Sequence, residues 1–190
     1  SIPATGKLHL DGSLTGDTYI SEASANLVSM RTGGTARQYW TSWGTYVPEN
    51  EGLVVGHTGQ ESVSNGDGGT GLTPEFQILG TGQADSSMLL AAFSTTATYA
   101  AAATLNFAKG GNASIGSHTI VTDDEILGRI NAFGDGGSDL RPNAASIEFA
   151  VDGAPGLNAM PGRIVLYTTA AGAEVATEAL RLDSSQNATF

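Results

Sequence analysis

The chain has 190 residues, enough for one ordinary domain with a small appendage, and 19 acidic residues against eight scattered Lys and Arg give a formal net charge of −11. That balance excludes the clustered basic surface that nucleic acid or an anionic membrane requires, and no run of about 18 apolar residues is present to span a bilayer. With no cysteine, the chain cannot use disulfides, thiolate metal sites or a cysteine nucleophile.

Glycine accounts for 26 residues, about twice the usual share of ~7%, and only 14% of residues are charged. This composition suits short strands and many turns rather than helical bundles. The N-terminal SIPATGKLHL lacks the basic-then-apolar pattern of a secretory signal. Lys7 to Leu10 alternates polar and apolar residues, and Asp11-Gly12 is a hairpin signal. Asp17 to Ser21 predicts a second strand, and Asn26 to Arg31 a third, closed by Gly33-Gly34. Three short strands with so few apolar residues cannot make a core alone. Residues 37–71 read as an aromatic-rich connector, with Tyr39, Trp40, Trp43 and Tyr46 close together and a loop, SNGDGGTG, at its end.

From Pro74 onward short strands recur. EFQILGTG alternates Phe76, Ile78 and Gly80. In 86–111 the alanines favour helix while Thr, Tyr and Phe favour strand, and two strands are expected. Asp123-Asp124-Glu125 reads as an acidic turn before a strand from Leu127 to Phe133. AASIEFAVDG puts Ala145, Ile147, Phe149 and Val151 on one face, then GRIVLYTT and EALRLDSS follow. The closing NATF resembles the opening of a further strand, so a fragment or a processed product is expected. Turn signals every 8–12 residues or so predict an all-β fold, a β-sandwich or barrel. The expected architecture is a short-strand N-terminal segment (1–36), the connector (37–71) and an antiparallel β-sandwich (72–190).

GKLHLDGSLTGDTYISEASANLVSMRTGG resembles a repeat common in bacteriophage tail-fibre and related virion appendage proteins; Leu8, Leu10, Asp11, Gly12, Asp17, Thr18, Tyr19, Ile20 and Glu22 match its usual form. Residues 103–190 resemble the domain that often follows. Its matching pieces are Thr104 to Phe107, IGSHTIVTDDEILGRI, FGDGGSDL, and the distinctive DGAPGLNAMPGRIV. In such fibres this block commonly precedes an autocleaving intramolecular chaperone. Residues 35–71 depart from the pattern. The resemblance implies an intertwined homotrimeric fibre module on an extracellular virion, in contact with other tail proteins and with a host-surface glycan or protein.

Candidate chemistry is sparse, and no catalytic residue or cofactor is expected. Asp123, Asp124 and Glu125, and Asp135 with Asp139, could form the paired carboxylates of a glycosidase, but acidic turn residues are usually surface connectors. DGGSD, 135–139, has oxygen ligands of the kind Ca²⁺ takes, yet it lacks the full loop with a terminal bidentate Glu. His9, His57 and His118 are far apart, and neither a G-x-S-x-G elbow nor a phosphate loop occurs. Arg129 and Arg163 each stand in a Gly-Arg-Ile at the mouth of a strand. They either point outward opposite Ile130 and Ile164, or make forked ion pairs with carboxylates such as Glu148, Asp152 or Glu178. The four aromatics either stack on sugar rings or fill an interface. The expectation is therefore a non-enzymatic fibre element for host attachment; the alternatives are a tailspike-like polysaccharide depolymerase and a non-viral adhesin or carbohydrate-binding module.

Overall fold

The computed structural model describes residues 6–10, 12, 17–24, 27–33, 35–41, 44–47, 53–64, 71–96 and 101–190. It is all-β with predominantly antiparallel pairing, as the turn spacing predicts. The chain divides into two compact units: residues 1–60 with 74–87, and residues 61–73 with 88–190.

The first unit holds an antiparallel meander of β1 (Lys7–His9), β2 (Tyr19–Ser24), β3 (Leu27–Thr32), β4 (Thr35–Thr41) and β5 (Gly44–Tyr46). Gly33 turns the chain between β3 and β4 at φ 58°, a left-handed conformation that favours glycine. The expected boundary at 36/37 falls inside β4: the start of the connector continues the sheet, because Val28 to Trp40 and Ser29 to Tyr39 remain in register. One face carries Tyr19 and Ser29, both buried, with the Lys7 ammonium 4.1 Å from the Tyr19 ring centre. On the other face, Leu8, Ile20 and Met30 share a row across β1–β3, and Val28 pairs with Trp40. Leu8 and Val28 on that face are exposed. A parallel pair of β6 (Leu53–Val55) and β9 (Phe76–Ile78) completes this unit's strands.

The second unit is built on β10 (Ile126–Phe133), β11 (Asn143–Val151), β12 (Gly162–Thr168), β13 (Thr177–Leu182) and β14 (Ala188–Thr189) in simple antiparallel order. A small pair, β7 (Val63–Ser64) and β8 (Gly71–Leu72), joins it through a bridge between Val63 and Leu140. Alternation along β11 follows the sequence pattern, with Ile147 opposite Leu166 and Phe149 opposite Ile164. A second broad sheet, the other layer of a sandwich, is not formed among the described residues of this unit. Irregular chain takes part of its place: Phe107 stacks on Phe149 at 6.2 Å between ring centres. Gly128 makes this approach feasible, since a Cβ there would lie 2.6 Å from the Phe107 Cβ.

The two strands expected within 86–111 do not form in 86–96 or 101–111, and residues 97–100 lie outside the described set. Among the described residues no strand pairs with 86–96 or 101–111, and strand propensity cannot act without a partner edge. Phe93 is 99% exposed and Leu89 84%.

Candidate functional site

The two faces of the β10–β13 sheet have opposite chemistry, because successive side chains alternate. On the polar face Arg129, Glu148, Val165 and Arg181 form one cross-strand row. Glu148 is only 3% exposed, and Val165 beside it is fully buried. Arg129 donates to one Glu148 carboxylate oxygen from Nε at 2.9 Å and Nη2 at 2.7 Å. The Tyr167 hydroxyl donates to the other at 3.4 Å. Burial and the neighbouring Glu148 charge raise the Tyr167 pKa, keeping it a neutral donor. These groups line a hollow of about 150 Å³ with Ser146 and Ala176. Arg181 makes a true fork with Glu178, at 2.9 and 2.7 Å, which raises its own pKa and lowers that of Glu178.

Arg163 occupies the end of the same face and is 10% exposed. It donates through Nη1 to Asp124 at 2.6 Å, to the Val151 carbonyl at 2.9 Å and to Asp152 at 3.5 Å. Its principal carboxylate is Asp124, a member of the acidic turn, which sequence spacing gives no means of pairing with a residue 39 positions away. Asp124 sits at φ 65°, a conformation that Asp tolerates in turns. Its neighbour Asp123 accepts the backbone N–H of Gly153 at 2.6 Å. Glu125 lies 3.7 Å from the Lys109 ammonium. The acidic turn thus fastens the start of β10 to the end of β11.

Asp152 in turn accepts the Ser184 N–H at 2.7 Å. That bond, with Arg163 adding to it, holds the Asp152 carboxyl below the usual range. The DGAPGLNAMPGR stretch is therefore a hairpin connection whose polar residues tie three loops together. Asp135 accepts the N–H of Gly137, and Asp139 accepts the N–H of Arg141 and pairs with its side chain. Among the described residues no group of three or more His, Asp or Glu is placed to hold a metal. His9 lies beside Tyr19, and His57 bonds Gly59. His118 is exposed in irregular chain.

The aromatic cluster is split by strand geometry. Tyr39 and Trp40 are both half-buried on β4 but, as neighbours on a strand, they face opposite sides of the sheet. Tyr46 pairs in register with Tyr39, whereas Trp43 lies outside the described residues.

On the apolar face, Ile130, Ile147, Leu166 and Leu180 form one row, and Ala132, Ala145 and Thr168 the next. These rows floor a trough of about 360 Å³. Ile130 remains 46% exposed. The alternation in 126–133, 143–151 and 162–168 contains this face, but sequence cannot tell whether another layer covers it. Compared with known proteins, the chain matches no family model, and no curated protein is significantly similar to it.

Proposed function

We propose that this chain is a structural module of a bacteriophage tail fibre, assembled as a homotrimer on the virion and contributing to host attachment. One observation carries the reading. A single chain leaves a long uncharged segment exposed and two sheet faces only partly covered, with Leu8, Val28, Phe93 and Ile130 exposed and Ile20, Met30, Ile147 and Leu166 half-buried. Exposed apolar surface on that scale marks an interaction surface. The resemblance of residues 7–34 and 103–190 to fibre modules supports copies of the chain as the partners.

The polar groups fit mechanical display better than bond-making, because Glu148, Asp123, Asp124 and Asp152 are engaged in holding strands and loops together. Attachment then comes from repeated weak contacts, three per fibre, multiplied by the number of fibres. Light scattering at neutral pH tests the assembly: the expected mass is three chains of 19.3 kDa each, and a lone chain would remove the reading's foundation. Binding to whole host cells without release of reducing sugar supports the fibre role over a depolymerase. Detection in purified virions separates the fibre from a bacterial adhesin.

A further inference from the structure

We infer that the apolar trough of β10–β12 seats the irregular Met88–Phe93 segment of a second copy of this chain. The inference rests on the homotrimer reading and names the contact that would close the trimer.

Three observations converge on it. The first is charge. Each copy carries −11, so association through acidic surfaces is opposed. No charged residue stands between Asp85 and Lys109, and none lines the trough floor of Ile130, Ala132, Ala145, Ile147, Leu166 and Thr168. These two uncharged surfaces can meet without repulsion. The second is the pattern of exposure. Met88, Leu89, Leu90 and Phe93 are exposed without a strand partner, and their own unit leaves the trough open. Phe93, as an aromatic, offers on the order of 150–250 Å², and the aliphatic Met88, Leu89 and Leu90 at about 100 Å² each bring the segment to roughly 500 Å². In a closed ring each chain gives one segment and receives one, placing about 1,000 Å² per chain under cover, the scale of stable association.

The third is continuity. The adjoining row of the same face, Gly128, Phe149 and Ile164, already receives an aromatic side chain from the same uncharged stretch, Phe107 on Phe149. A copy's segment would extend that covering along the sheet. A segment-into-trough contact is also heterologous, the kind of contact a closed ring of three needs, whereas trough against trough would make a two-fold dimer.

The test places p-benzoylphenylalanine at position 93 of the full chain, mixes isotopically light and heavy copies, irradiates them and maps the cross-links by mass spectrometry. The expected result is light-to-heavy cross-links from position 93 into 126–133, 143–151 or 162–168 at trimer mass. Trimer mass with cross-links elsewhere, or with none between copies, overturns this inference and leaves the trimer standing. Monomer mass overturns both, and dimer mass points to trough-on-trough pairing and overturns the seat. As a second measurement, Phe93→Asp alters a side chain that is 99% exposed in its own chain. It should weaken assembly at least about tenfold with an unchanged circular dichroism spectrum; unchanged assembly refutes the seat.

Discussion

Arg163 shows how much structure one residue can hold together. Its guanidinium is nearly enclosed and joins Asp124, Asp152 and the Val151 carbonyl. Arg163→Ala should lower stability by about 2–3 kcal/mol in a denaturant titration, because a buried carbonyl loses its charged donor. Under the proposed fibre role, binding to host cells should be unaffected. Glu148 is the more costly position: Glu148→Ala leaves Arg129 and Tyr167 without their acceptor and should cost about 3 kcal/mol, whereas Glu148→Gln retains an acceptor and should cost about half that. Acid stability belongs to this scale too. The Asp152 carboxyl is held below its unfolded value by the Ser184 N–H and Arg163. Its contribution is therefore complete above the unfolded value near 4 and is lost as pH falls through the lower folded value. Melting temperature should drop with acidification below about pH 4. In Asp152→Asn that part of the slope should flatten.

At the scale of elements, glycine placement decides which strands meet. Gly128 contributes an absence, the space that lets Phe107 lie against β10. Gly128→Ala should displace Phe107 and cost about 1–3 kcal/mol, with Phe107 losing its stacking partner. A hydrogen-exchange comparison should show 104–111 opening before the strands do. Gly33→Ala strains the β3–β4 turn instead and should cost about 1 kcal/mol without disturbing the second unit. Strand positions were readable in 19–32 and 126–182 because alternation there coincides with turn residues. In 86–111 Thr, Tyr and Phe suggested strands, but a strand is a relation between two segments, and among the described residues no second segment pairs with 86–96 or 101–111. Likewise, the Tyr39–Trp40 pair reads as one cluster along the chain, while the pleat sends its members to opposite faces.

For the molecule as a whole, the balance between covered and uncovered apolar surface governs behaviour. Val121, Ala150, Val151 and Val165 are the buried apolar residues of the second unit among those described, a small core for its length. A chain stabilised by its copies should melt at a temperature that rises with protein concentration, and a concentration-independent melt would contradict assembly-linked stability. The same dependence should be weaker in Phe93→Asp.

The sequence by itself determined the all-β class, the absence of cysteine chemistry and the order of the C-terminal strands. Composition, turn spacing and two-residue alternation are local properties, and they survive without knowledge of neighbours. Only the tertiary structure decided that Asp124 rather than a nearer carboxylate anchors Arg163, and that the first sheet continues into the start of the expected connector, as far as Tyr46. It also decided that, among the described residues of its unit, no second sheet covers the apolar face of β10–β13. Each of these depends on which distant segments come together, and a linear pattern records what a face is made of but not what lies against it.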